Sequence, residues 1–135
     1  MEKISRFLYY WFPPVIWMVT IFFFSSRLST EVTGEFVVDF IFFKSLHLIE
    51  YAILYFFLFR AFFSINNQQL SINYKFFLPL ILSLIYAVSD EIHQTFVPTR
   101  EGKIRDVLID SSGILVMYIY IKTNLRKIKK FFYIK

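Results

Sequence analysis

The chain has no cysteine and very little glycine or proline. Without cysteine it can form no disulfide, thiolate nucleophile or cysteine-ligated metal centre. Three glycines and four prolines in 135 residues are too few for a collagen-like, disordered or turn-rich β architecture. Acidic residues are also scarce: there are ten of them against fifteen lysines and arginines, which gives a formal net charge of +5.

Apolar side chains are abundant, because 57% of the residues are hydrophobic and 22% are aromatic, including 19 phenylalanines. A soluble domain of this length buries only part of its apolar surface, whereas a bilayer can cover the rest. Four apolar runs approach the roughly 17–25 residues that a helix needs to cross the hydrocarbon, where only helices or closed barrels satisfy the backbone. The sequence therefore predicts an all-α fold, a four-transmembrane-helix bundle. It forms a single domain over residues 1–135, with helices at about 7–24, 44–63, 76–97 and 105–121.

The basic residues predict how the bundle is oriented. The first run has no small-residue cleavage site after Phe24, so we expect a retained helix and four crossings. Ten of the fifteen basic residues then fall on the side that holds both termini, six of them from Lys122 to Lys135. The positive-inside rule predicts a multi-pass protein of the cell membrane with both termini cytoplasmic. We expect the basic tail to contact anionic membrane lipids and not nucleic acid.

Ionisable residues lie inside three of the runs, near the predicted outer end of each. His47 and Glu50 follow the start of the second run, Asp90 and Glu91 precede the end of the third, and Asp110 follows the start of the fourth. At 1.5 Å per residue, Glu50 and Asp90 lie roughly 9–10 Å inside the helix ends. Since ionisable groups at membrane depth usually face a bundle interior or a wet cavity, we expect a shared polar cavity at the outer leaflet.

Helical spacing predicts which side chains turn toward that cavity, because residues three or four apart share a helix face. The predicted inward stripes are Lys44, His47 and Tyr51; Asp90 and Gln94; and Asp106 and Asp110. The same charges can also serve only to hold helices together, as a pair between Glu50 and Arg100 or between Arg105 and Asp106 would.

One further acidic series lies between the first two runs. Glu31, Glu35 and Asp39 are spaced by four, and this spacing predicts a short surface helix whose acidic face is solvated.

The polar residues of the runs occur in an order that resembles the VanZ-like family. The matching elements are Lys44-x-x-His47-x-x-Glu50-Tyr51, then Asp90-Glu91-x-His93-Gln94-x-Phe96-Val97-Pro98-x-Arg100, and then Asp106-x-x-x-Asp110 with Gly113. The resemblance covers about residues 10–120. One departure is Thr99, where the family's Pro-Gly-Arg turn has glycine. The resemblance implies a small integral membrane protein with a link to low-level resistance to the glycopeptide teicoplanin.

Three functions remain open on these residues: acid–base or metal-assisted chemistry on an envelope lipid or lipoglycopeptide, binding of such a ligand without chemistry, and, ranked last, proton-coupled transport. The candidate catalytic residues are His47, Glu50, Asp90, Glu91 and Arg100. The candidate substrate-binding residues are Lys44, Tyr51, Gln94, Arg105, Asp106 and Asp110. No metal ligand is assigned, although carboxylates suit Mg²⁺ or Ca²⁺. The cofactor, the oligomeric state and whether the protein is an enzyme stay open.

Overall fold

The computed structural model describes residues 3–28, 32–65 and 71–132, and the regular elements of these residues are all helices. The four helices are α1 (Lys3–Ser25), α2 (Phe36–Ser64), α3 (Ile72–Gln94) and α4 (Ile104–Phe132). The predicted all-α fold with four helices is therefore confirmed.

Three of the four helices are long and apolar enough to cross a membrane. These spans are Ile4–Ser25 of α1, the whole of α2 and the whole of α3. Large apolar side chains such as Phe12 and Phe23 are exposed on the outside of the bundle, where lipid would cover them. In α4 the charges of Asp106, Asp110 and Lys122 interrupt the apolar sequence. A crossing by α4 stays a prediction.

The second helix begins earlier than the sequence predicted. It starts at Phe36 and not near Lys44, so the segment 36–43 adds two turns at the end that carries the polar residues. The predicted solvated face is wrong for Asp39, because this residue belongs to α2 and is only 6% exposed. Its carboxylate accepts hydrogen bonds from the backbone N–H groups of the segment 32–34 at 2.9–3.2 Å. Glu31 lies outside the described residues.

The third and fourth helices also have different limits from those predicted. α3 ends at Gln94 and not at Val97, because the chain enters a series of short turns there. α4 runs on to Phe132, with a break in helical geometry at Asn124. The 29 residues of α4 therefore include most of the basic tail.

α2 is the centre of the bundle and packs against α1, α3 and α4. Its fully buried side chains Tyr51, Leu54, Tyr55 and Phe59 belong to the apolar core, to which all four helices contribute. The ends of α1 and α3 meet the beginnings of α2 and α4 at one end of the bundle, which we call the site end.

Candidate functional site

α2 and α4 are joined at the site end by two polar contacts. Lys44 Nζ lies 2.6 Å from Asp106 Oδ2, and both side chains are largely buried. One turn deeper, His47 Nδ1 lies 3.5 Å from Asp110 Oδ1, which is an ion-pair distance but longer than an ordinary hydrogen bond. Asp110 is 1% exposed and otherwise has no hydrogen bond within the described residues. The contact places a buried carboxylate beside Nδ1 of His47.

A glycine allows these two helices to approach so closely. Gly113 lies one turn after Asp110 and faces the backbone of Leu48, the residue after His47. A Cβ atom built on Gly113 would overlap the Leu48 carbonyl oxygen and lie 3.0 Å from the carbonyl carbon. Any side chain at position 113 therefore forces α2 and α4 apart at the level of the His47–Asp110 pair.

A second polar network connects α1, α3 and the turn after α3. Ser25 Oγ donates to Asp90 Oδ2 at 2.8 Å, and Gln94 Nε2 donates to the same oxygen at 3.1 Å. The side-chain oxygen Oε1 of Gln94 then accepts a hydrogen bond from the Arg100 guanidinium at 2.8 Å. Ser25, Asp90 and Gln94 are all at most 3% exposed. The network therefore fixes the position of the Arg100 guanidinium from inside the bundle.

The turn between α3 and α4 is held by Glu91. Its Oε1 accepts a hydrogen bond from the backbone N–H of Lys103 at 2.9 Å. Gly102 lies against the Glu91 carbonyl group, where a Cβ atom would overlap the backbone. Thr99 has a φ of 72°, a left-handed conformation that favours glycine. Its hydroxyl donates to the Leu28 carbonyl oxygen and so links this turn to the segment after α1.

These contacts surround a pocket of about 360 Å³ at the site end. Its polar walls come from α2, from the turn after α3 and from the start of α4. Its apolar wall is formed by Phe36, Phe40 and Phe43 on one face of α2. The remaining lining residues are Gly34, Asp39, Lys44, His47, Gln94, Thr99, Arg100, Glu101, Lys103, Arg105 and Asp106.

Several charges of the pocket compensate one another. Glu101 Oε2 lies 2.7 Å from Lys103 Nζ, and this hydrogen bond lowers the pKa of Glu101 below its ordinary value. Arg105 Nε lies 3.4 Å from Asp106 Oδ1, and its guanidinium also lies over the Phe40 ring, 4.8 Å from the centroid. On the sequence alone, a purely structural Arg105–Asp106 contact was the alternative to a functional role for these residues. This pair forms in the structure.

The structure divides the predicted catalytic residues into two groups. His47 and Arg100 line the pocket, whereas Glu50, Asp90 and Glu91 do not. The hydrogen bonds of Asp90 indicate that it positions the network of Ser25 and Gln94. That of Glu91 indicates that it positions the turn between α3 and α4. Glu50 is half-buried, and its backbone carbonyl accepts a hydrogen bond from the Trp17 indole at 2.8 Å. The contact between Glu50 and Arg100 that would have tied helices together is not found among the described residues.

The predicted substrate-binding residues divide in the same way. Lys44, Gln94, Arg105 and Asp106 line the pocket. Tyr51 and Asp110 are fully buried behind it. Direct contact of any of these residues with a ligand stays a prediction.

His93 faces α1 and lies outside the pocket. Its Nε2 lies 3.0 Å from Ser26 Oγ, and its ring centroid lies 4.4 Å from that of Phe22.

Sequence reasoning missed the three phenylalanines of the apolar wall and four polar lining residues, Asp39, Thr99, Glu101 and Lys103. The phenylalanines are spaced by four and three, so a helical reading of the segment 36–43 would have placed them on one face. Asp39 and Lys103 gave no such signal, since their positions depend on how the two connecting segments fold over the bundle. In the described part of the chain, no three acidic or histidine side chains converge as metal ligands.

The helices and their polar end define a class: a helical, multi-pass membrane protein with a pocket at one end of the bundle. The family follows from the sequence, because the model of the VanZ/LLP1 family matches residues 8–125. The chain belongs to this family, and the resemblance seen in its motifs is confirmed. No curated protein and no solved structure matches the chain.

Proposed function

We propose that the protein crosses the cell membrane four times, with both termini in the cytoplasm, and binds an envelope lipid or a lipoglycopeptide in the site-end pocket at the outer leaflet. The observation that carries this proposal is the composition of the pocket. A wall of three phenylalanines stands beside cationic side chains, and such a pocket suits an amphiphile with an anionic headgroup.

The length of α2 supports a headgroup position at the membrane interface. Its 29 residues extend about 43 Å at 1.5 Å per residue, which exceeds the roughly 30 Å of the hydrocarbon core. The pocket lies along the first turns of α2, where the helix would reach the headgroups. The concentration of basic residues near the opposite end supports the outward orientation of the pocket.

His47 is the residue best suited to chemistry on such a ligand. Its ring lines the pocket, and Asp110 faces Nδ1 from behind, as in carboxylate–histidine pairs that fix one tautomer of the ring. Nε2 would then exchange a proton with the ligand. The expected link to resistance against teicoplanin-type glycopeptides rests on the family. It is compatible with this role of His47, because modifying an envelope lipid would alter the surface that such a glycopeptide meets.

The experiment compares two histidine variants of the full chain. Purified protein is incubated with extracted envelope lipids, and retained and newly formed lipids are identified by mass spectrometry. We expect the wild type and His93→Gln to retain one lipid class or convert it, because His93 lies outside the pocket. His47→Gln should lose conversion, or bind more weakly if no conversion occurs.

Each outcome has a defined meaning for the proposal. Conversion by the wild type assigns catalysis, and retention of unchanged lipid assigns binding. The proposal fails if the wild type retains no more lipid than a detergent control. The proposed role of His47 is wrong if the His47→Gln variant retains and converts lipid as the wild type does. Teicoplanin susceptibility of cells that express the same variants at equal levels tests the link to resistance.

A further inference from the structure

Arg100 differs from the other cationic side chains of the pocket. Each of the other three pairs with a carboxylate at 2.6–3.4 Å. Within the described residues Arg100 forms no ion pair, and its guanidinium donates instead to the neutral amide of Gln94. A guanidinium has five N–H donors, so most of the donors of Arg100 stay available to a ligand.

The charges of the side chains that line the pocket also distinguish Arg100. Four cationic and three carboxylate side chains line it, which leaves one positive charge when His47 is neutral. Lys44 and Arg105 share Asp106, and Lys103 pairs with Glu101. The third carboxylate, Asp39, is bonded by the backbone of the segment 32–34. Arg100 is thus the cationic lining residue that pairs with no carboxylate within the described residues, and it suits an anionic ligand group.

The guanidinium is also fixed before any ligand binds. Arg100 is held by Gln94, Gln94 by Asp90, and Asp90 by Ser25 of α1. Because the inner members of this network are buried, Arg100 would lose little side-chain freedom on binding an anion. A guanidinium can bind phosphate and carboxylate oxygens through planar, bidentate hydrogen bonds.

The apolar wall indicates what the anion is attached to. Phe36 is 83% exposed, although it lines a pocket that also contains Arg100. Phe40 and Phe43 continue the same face of α2 toward the bilayer interior. This face borders the same pocket as the Arg100 guanidinium and offers an apolar surface to a hydrocarbon chain.

We propose that Arg100 binds the phosphate group of a phosphodiester lipid, whose hydrocarbon chains lie along Phe36, Phe40 and Phe43. This inference rests on the proposed function and deepens it by naming the chemical class of the ligand and the residue that anchors it.

The test uses full-length protein in a neutral maltoside detergent and two photoreactive probes with identical acyl chains. One probe is phosphatidylglycerol and the other is diacylglycerol, which has no phosphate. The variants are Arg100→Gln, Arg100→Lys, Phe36→Ala and, as a control, Arg126→Gln in the exposed tail of α4. Circular dichroism checks that each variant keeps the helical content of the wild type.

We expect phosphatidylglycerol to label residues of the pocket in the wild type and in Arg126→Gln, and diacylglycerol to label them much less. The loss of a charge-assisted hydrogen bond predicts about ten- to hundredfold weaker labelling in Arg100→Gln, with partial recovery in Arg100→Lys. Phe36→Ala should also weaken labelling, and glycerol 3-phosphate should not compete at comparable concentrations.

Other results separate the two proposals. If Arg100→Gln is labelled at the pocket as strongly as the wild type, the phosphate anchor is wrong and the lipid pocket stands. If glycerol 3-phosphate competes as well as the lipid, the site binds soluble phosphate and the lipid part of the inference is wrong. If neither probe labels the pocket, the inference fails, and retention of extracted envelope lipids decides the proposed function separately.

Discussion

Gly113→Ala is the substitution that most directly tests the close contact of α2 and α4. Its methyl group would overlap the Leu48 carbonyl oxygen and lie 3.0 Å from the carbonyl carbon, whereas ordinary contact begins at 3.4 Å. To relieve the contact with the carbonyl carbon alone, α2 and α4 have to move about 0.4 Å apart, and the contact with the oxygen requires a larger movement. Since the obstacle is backbone, no side-chain rotation can relieve it, and the helices have to move apart.

The energetic effect combines two opposing contributions. Overpacking a close-packed interface costs about 1–3 kcal/mol. Replacing glycine by alanine in a helix returns up to about 1 kcal/mol. We therefore expect a net loss of about 1–2 kcal/mol, which corresponds to a fall of about 3–10 °C in unfolding temperature for a chain of this length. The His47–Asp110 contact is already 3.5 Å long and should open, whereas the flexible Lys44 side chain can follow Asp106.

The assay is thermal unfolding in detergent at one fixed scan rate, followed by tryptophan fluorescence. Ser112→Ala is the matched control, because Ser112 is exposed and its hydroxyl bonds only to the preceding turn of its own helix. Adding Leu48→Ala to Gly113→Ala should not restore stability, since the overlap is with the backbone of Leu48. Unchanged stability of Gly113→Ala, or rescue by Leu48→Ala, would refute this account of the interface.

Three further substitutions test the network and the connecting segments. Thr99→Gly should raise the unfolding temperature, because it relieves roughly 1 kcal/mol of left-handed strain; a fall would mean that the bond to the Leu28 carbonyl dominates. Ser25→Ala leaves the buried Asp90 short of a donor and should cost about 1–3 kcal/mol, measured by chemical unfolding against the wild type. Asp39→Asn replaces one acceptor oxygen by an amide donor, so fewer hydrogen bonds hold the segment 32–34 and limited proteolysis within 32–35 should become faster; equal cleavage rates would show that Asp39 does not hold this segment.

The helices and the gathering of polar groups could be predicted from the sequence because the bilayer restricts both. Long apolar runs favour helices there. His47, Asp90 and Asp110 near matching ends of three runs must then lie at the same end of the bundle if the helices run alternately up and down. The start of α2 could not be predicted in this way. Asp39 interrupts the apolar segment 36–43 and resembles a surface charge, and its hydrogen bonds depend on a loop, residues 32–34, that folds back over it.

The roles of the individual site residues could not be predicted from the sequence either. Asp90 and Glu91 are adjacent, so helical geometry shows only that they point about 100° apart. Which of them serves the network and which holds the turn depends on the rotation of α3 against its neighbours. Arg100 was a candidate from its motif, but that it has no carboxylate partner among the described residues is visible only once the surrounding pairs are known.

The most direct test of the central claim, that the pocket opens toward the outside of the cell, uses the absence of cysteine from the natural chain. Glu101→Cys places one thiol at the exposed rim of the pocket, and Arg126→Cys places one on the exposed tail of α4. Each variant is treated in intact cells with a membrane-impermeant maleimide. We expect Glu101→Cys to be labelled at once and Arg126→Cys only after the cells are permeabilised. Labelling of Arg126→Cys from outside, with Glu101→Cys protected until permeabilisation, would contradict the account.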